Sequence, residues 1–401
     1  MTLAADTPLA VPLSEPAPPS GPVRFMDRGG LFGLLVKNAV LTLVTFGIYR
    51  FWARAALRRY WWGSIVVAGD PLEYTGTGLE LFIGFLMFLG IMLPFGLVYG
   101  LTALLQHANP IIGGLLRLVE GLGFFVLIQF VTFRARRYRL SRTLWRGVRA
   151  SQGGSSWAYL RLVIGWTLLS AITLGIAYPW ARIATTRYLM DRTALGDLEA
   201  RFEGRGSDLI LAWIVPYVIF AGSIVLLITL KIDTTKEAKP SPGIFLVGLG
   251  YLTWLFGLLV YFLIELRYTI RKTRFGEVQI GSLLSVGGLI ARIVGFGIAA
   301  WLVLVVAMVA IIGLFMGLGG VHAGAGASQT LSIIASVVAF VIAFGLFNIL
   351  RIFWIDRAIV RQICDTMSMT NVDRLDRIGQ STAPMPSAGE GMADAFDIGA
   401  F

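Results

Sequence analysis

Five stretches of this chain stay apolar over at least the ~18 residues that a helix needs to cross a bilayer: Leu79–Leu105, Leu209–Leu230, Gly243–Leu263, Ile298–Leu318 and Leu331–Leu350. Ile111–Phe133 is a sixth, although it carries Arg117 and Glu120. Lipid offers no hydrogen bonds, so each stretch has to satisfy its backbone inside its own helix. Composition agrees: 14% of the residues are charged, against about 25% in soluble domains. The formal net charge of +11 is then a matter of topology, because Lys and Arg collect in cytoplasmic loops. No nucleic-acid partner is expected. One cysteine, Cys364, and two histidines, His107 and His322, leave no set of residues for a metal or haem site. Cys364 reads as a small residue in a cytoplasmic strand.

Residues 1–23 read as a disordered tail. Six prolines and no basic residue in the first 22 positions exclude a secretory signal, which needs a positive start and an apolar centre. Residues 380–401 read as a second polar tail. Between them, residues 24–379 form a membrane domain built from repeats. The string Thr45-Phe-Gly47-Ile, then Trp52-Ala-Arg54 and Arg59-Tyr60, recurs 128 positions on as Thr173-Leu-Gly175-Ile, Trp180-Ala-Arg182 and Arg187-Tyr188. Repeat one covers about 24–156, repeat two about 157–281, and a divergent third, without Trp-Ala-Arg, about 282–379.

A smaller unit is more frequent. Arg137-Tyr138, Arg187-Tyr188 and Arg267-Tyr268 each precede a threonine (143, 193, 273) and a glycine-centred turn, and Arg59-Tyr60 precedes Gly69-Asp70. After the turns, residues alternate between apolar and polar, as in Leu198, Ala200 and Phe202 against Glu199, Arg201 and Glu203. Period-two alternation beside such a turn predicts a β-hairpin. The expected fold is therefore an all-α polytopic membrane bundle with internal repeats plus at least four short β-hairpins.

Charge assigns the hairpins a side. Arg134–Ser156 holds seven arginines and no acid, whereas Gln106–Pro110 and Gly319–Thr330 hold no Lys or Arg. The hairpins, and with them both termini, are expected in the cytoplasm. Trp157–Thr186 is too short to leave and return, since two crossings need roughly 40 residues. Leu31–Trp52 and Trp157–Trp180 are thus expected to re-enter rather than span, breaking at Thr45 and Gly47 and at Thr173 and Gly175. In the competing arrangement both segments span and the repeats are inverted, a transporter design.

With these residues in view, the chain resembles the YjgN family of bacterial inner-membrane proteins of unknown function. The resemblance rests on Asn38–Tyr49 with Trp52, on the string Arg134–Gly147, and on Gly389–Asp394. It implies a bacterial inner-membrane location and no particular reaction.

No phosphate loop, nucleophile elbow, zinc-protease or dinucleotide motif is present, so no catalytic, cofactor or metal residues are expected and the chain reads as a non-enzyme. The corners Tyr74-x-Gly76-x-Gly78 and Phe202-x-Gly204-x-Gly206 read as places where only glycine fits. Arg117 and Glu120 share one helix face and form a candidate intramembrane pair. The Arg-Tyr pairs at Arg59, Tyr60, Arg137, Tyr138, Arg187, Tyr188, Arg267 and Tyr268 are either grips for anionic lipid headgroups or structural caps of helix ends. Glycines four apart, Gly96 and Gly100 and Gly313 and Gly317, suit close helix packing, within the chain or in a homo-oligomer. The functional expectation is a membrane protein that organises lipid or protein partners through a basic hairpin platform. A small-solute transporter or channel is the alternative.

Overall fold

The computed structural model describes residues 22–229, 242–320 and 327–380. Of the expected tails at 1–23 and 380–401, residues 1–21 and 381–401, with Gly389–Asp394, lie outside these residues, as do the loop lysines between 231 and 241 and His322.

The chain alternates helix pairs with β-hairpins. Strand β1 (Val23–Phe25) precedes the pair α1 (Leu31–Val44) and α2 (Arg50–Ser64), which feeds the hairpin β2 (Ile65–Val67) and β3 (Asp70–Tyr74). The long pair α3 (Gly78–Ala108) and α4 (Pro110–Ser141) leads to β4 (Thr143–Trp145) and β5 (Val148–Gln152). A second short pair follows, α5 (Ser156–Ile172) and α6 (Tyr178–Met190), with β6 (Thr193–Leu195) and β7 (Leu198–Phe202). Then come α7 (Ile210–Thr229) and α8 (Pro242–Arg271), with β8 (Thr273–Phe275) and β9 (Val278–Ser282). Last are α9 (Val286–Gly320) and α10 (Ala327–Leu350), a π-helical turn over Arg351–Asp356, α11 (Arg357–Asp365) and β10 (Met367–Met369). Cys364 is buried in helix α11, not in a strand. The periodicity of so short a segment cannot separate the two.

Among the described residues, five helical segments are long and apolar enough to cross a membrane: Gly78–Ala108, Pro110–Ser141, Gly206–Leu226, Phe245–Arg271 and Val286–Val306. Helix ends are set by local chemistry. Thr77 caps α3 and Glu80 reaches back to the Thr77 backbone, a reciprocal capping box. Asn109 accepts from the amides of Ile111 and Ile112 while Pro110 opens α4.

The four expected hairpins are present. They do not stand apart: ten antiparallel strands follow one another in sequence order in one continuous sheet. Each five-residue strand pairs on both sides, as β3 does with β2 and with β4. The two-residue turns use positive φ at Ala68 and Gly69 and at Arg146 and Gly147, the conformation that matches strand twist. Strands β1 and β10 lie against each other, as do α1 and α10, so the meander curls almost into a ring. Phe25 N donates to Asp365 Oδ1 across that seam at 3.1 Å. A 3₁₀ turn, Val372–Arg377, covers the hairpin tips. Its Leu375 packs with Trp145 and Val278, Arg146 bridges Asp70 and Asp376, both at 2.5 Å, and Arg374 pairs with Glu277 at 2.9 Å.

The chain turns between α1 and α2 and between α5 and α6, at the strings that hold Thr45 and Gly47 and Thr173 and Gly175. Thr45 Oγ1 donates to Leu41 O at 2.7 Å and accepts from Tyr49 N at 2.9 Å. Thr173 Oγ1 repeats this with Leu169 O and Ala177 N, at 2.8 and 3.1 Å. Gly47 and Gly175 take φ of 89° and 93°, which a side chain strains. Phe46 and Leu174, at the two tips, are 97% and 78% exposed. The glycine corners have a steric cause as well. A Cβ on Gly78 would lie 2.6 Å from the Trp52 ring, and one on Gly206 equally close to Trp180.

Candidate functional site

The Arg-Tyr pairs hold the joints between helices and sheet. Each tyrosine ends the second helix of a pair and reaches the start of the first. Tyr60 hydroxyl donates to Asp27 at 3.0 Å, Tyr138 to Glu80 at 2.5 Å, Tyr188 to the Ser155 carbonyl at 2.8 Å and Tyr268 to Asp208 at 2.5 Å. Three of the four arginines reach forward to the next corner. Arg59 and Arg187 donate to the carbonyls of Gly76 and Gly204, at 3.0 and 2.5 Å, and Arg137 donates to that of Gly154. Arg267 leaves a buried Nε without a partner. Much of the basic run is also engaged internally: Arg142 pairs with Glu80 at 2.6 Å, and Arg134 lies over the Phe130 ring.

Arg117 and Glu120 face the same region and bind different partners. Glu120 Oε1 accepts from Thr102 Oγ1 at 2.8 Å, and the Arg117 guanidinium lies 4.0 Å from the centre of the Tyr99 ring. Arg117 Nε and Glu120 Oε2 are buried without hydrogen bonds. Among the described residues, a Cβ on Gly96, Gly100 or Gly313 would meet nothing within 4 Å.

A polar site lies where α4, α5, α6 and α8 come together near the sheet. Two cavities, of about 370 and about 310 Å³, share Tyr159, Arg182 and Thr185 as walls. Arg182 donates to Glu265 Oε1 through Nε at 2.9 Å and Nη2 at 2.7 Å. Burial works against the charge of Arg182, yet the carboxylate of Glu265 outweighs it and holds the guanidinium above the ordinary arginine range. The Glu265 side chain is only 6% exposed, and its Oε2 has no partner, like the neighbouring Tyr261 hydroxyl and Ser170 Oγ. Arg136 lines the larger cavity. Its Nε donates to Gln152 Oε1 at 3.0 Å, its Nη2 to Thr193 Oγ1 at 3.3 Å and Met190 Sδ at 3.6 Å. Sequence reasoning passed over this site. Arg136 was one of seven arginines in a run and Arg182 one repeat of Trp-Ala-Arg. Glu265, 83 residues from Arg182 in the chain, reads as a loop acid.

Residues 21–395 match the family described as a bacterial protein of unknown function, DUF898. The chain belongs to that family. Curated proteins similar to this DUF898 chain include the inner membrane protein YjgN of Salmonella typhimurium strain LT2. It is 29% identical over 131 residues, 31% of this chain and 29% of that protein. The YjgN proteins of Escherichia coli K12 and O157:H7 are 28% and 29% identical over 171 residues, 42% of this chain and 40% of theirs. The chain thus matches about two-fifths or less of the length of these relatives. No solved structure matches. The family and the apolar helices together make this DUF898 member a multi-pass inner-membrane protein.

Proposed function

We propose that the protein organises lipid in the inner membrane and performs no covalent chemistry. The short helix pairs carry this reading. A helix reversal in water is ordinarily built from polar turn residues, whereas the two tips here present Phe46 and Ile48, and Leu174 and Ile176, to their surroundings. Their backbone groups are satisfied internally by Thr45, Thr173 and the glycine amides of Gly47 and Gly175, as irregular backbone at membrane depth requires. Tips of this kind end in hydrocarbon, and beyond each one lipid fills the space that a spanning pair would take. The arginine-rich sheet side then faces the cytoplasm under the positive-inside rule, with both described ends of the chain.

The test is reconstitution. The purified protein in nanodiscs of native lipid should retain bound lipid on gentle extraction. Phe46→Asp with Leu174→Asp should reduce that lipid with the helix content unchanged. Full retention by this double variant would overturn the reading. The adjoining cavities favour a second reading, a small-solute transporter, and protein-dependent solute flux into liposomes would select it.

A further inference from the structure

We infer that the cavity walled by Arg136 and Arg182 binds a phosphate-bearing anion, either the headgroup of an anionic lipid or a free phosphate. This deepens the lipid-organising reading and rests on it for the lipid source.

Charge balance is the first argument. Two guanidiniums and one carboxylate line the larger cavity, Arg136, Arg182 and Glu265, which leaves one positive charge uncompensated. Among the described residues Arg136 has only the neutral partners Gln152, Thr193 and Met190. A cation withdrawn from water without an anion is costly, and an anionic ligand removes that cost.

Geometry is the second. Arg136 commits Nε and Nη2, and Nη1 has no hydrogen bond to any described residue. A guanidinium with free donors is the side chain best matched to a phosphate. Thr186 on α6 and Thr269 on α8 add hydroxyl groups to the lining, whereas the Thr185 hydroxyl donates to the Ala181 and Arg182 carbonyls. The adjoining cavity, lined by Phe125, Val163 and Trp166 as well as Gln129 and Thr167, has room for the apolar part of an amphiphile. Volumes of this size are ordinary for small-ligand sites.

The repeat supplies an internal control. Arg58 is the counterpart of Arg136, and each bonds the residue sixteen further on, Tyr74 or Gln152. Arg58 donates Nη1 to the Tyr74 hydroxyl at 3.2 Å, lies over that ring, and is 4% exposed. A glutamine at the Tyr74 position occupies Nε instead and leaves Nη1 without an acceptor among the described residues.

Binding of three probes to the full-length protein in detergent tests the inference: inorganic phosphate, short-chain phosphatidylglycerol and uncharged short-chain diacylglycerol. Phosphatidylglycerol should bind, and diacylglycerol should bind far more weakly. Arg136→Gln should weaken phosphatidylglycerol binding by about tenfold or more, the loss of a charge-assisted hydrogen bond. Glu265→Gln should strengthen it. Gln152→Tyr, which installs the closed arrangement of the first unit, should also abolish binding and gives a second route if Arg136→Gln does not fold. Arg201→Gln, on an exposed position of β7, should change nothing. Phosphate that binds alone and displaces the lipid identifies a free-phosphate site; phosphate without effect assigns the site to the headgroup. Equal affinity for the charged and uncharged lipids, or native affinity in both Arg136→Gln and Gln152→Tyr, would overturn the inference. If retained nanodisc lipid persists in those variants, the lipid-organising reading survives that result.

Discussion

Helices α2 and α6 carry the same string, Trp-Ala-Arg, and meet different walls. Opposite α6, Arg182 finds Glu265 on α8. Counted from the Arg-Tyr pair, the corresponding residue on α4 is Ala135, 4% exposed and packed with Phe88 and Val131. One hairpin further on, Arg58 is covered by Tyr74 while Arg136 has Gln152. The reversal turns and the glycine corners are the same in both places, and in both the tyrosine bonds back to the start of its helix pair. The repeat therefore copies the backbone devices, and single unrepeated residues on the neighbouring elements decide which copy encloses a polar cavity.

The largest effect should come from breaking that difference. Arg182→Ala leaves the enclosed Glu265 carboxylate without its cation and should cost about 3 kcal/mol of stability, read as a drop in Tm in detergent. Repeating the substitution in a Glu265→Ala background should cost much less, and equal costs would show that the two residues act independently. Next, Gly175→Ala and Gly47→Ala each force a side chain into the left-handed region and should cost about 1–2 kcal/mol. The two costs should be similar, because the turns share their φ values and threonine bonds. A cost at only one of them would show that the tips carry different loads.

The tyrosine joints sharpen the comparison further. Tyr138→Phe loses a bond to the Glu80 carboxylate and should cost about 1.5–3 kcal/mol, while Tyr188→Phe loses one to a neutral carbonyl and should cost about 0.5–1.5 kcal/mol. Chemical denaturation of the two variants side by side checks the order. The smallest effect concerns Asp27 at the base of α1 and α2. Slight burial pushes its carboxyl up, but hydrogen bonds from Gly29 and Tyr60 and the charges of Arg357 and Arg361 hold it below the usual 3.8. A depressed carboxyl contributes stability that is present above the ordinary value and lost as pH falls through the depressed one. Acid titration of Tm should thus be shallower in Asp27→Asn than in the native chain below about pH 4.

Local chemistry was legible in the sequence. Thr45 with Gly47, and Thr173 with Gly175, announced the reversals, because a threonine that can bond back and a glycine that can turn left sit just before the next helix. Gly69-Asp70 and Gly196-Asp197 announced hairpins through turn chemistry and alternation. What stayed hidden was long-range. Nothing local distinguishes a row of hairpins from a ten-stranded sheet, since its ladders also join residues of different hairpins, as in Tyr74 with Thr143. Residues 371–379 read as the end of a divergent repeat and Gln380 as the start of a tail. Their bonds to the hairpin tips at Glu277, Asp197 and Gly147 are set only by the assembled sheet. Glu265 was passed over for the same reason: its significance depends on a helix that comes 83 residues earlier.

The seam between β1 and β10 has a consequence for biosynthesis. Its bonding partners, Phe25 and Asp365, are 340 residues apart, so the clasp shuts only after almost every helix has emerged from the ribosome and entered the bilayer. Throughout translation β1 carries a bare edge, the type of strand most prone to wrong pairing. Arg357, which pairs with Asp27 on the same seam, arrives equally late. A chain interrupted before α11 is left with an unfastened ring, and the cell's quality-control proteases have an exposed strand by which to recognise it.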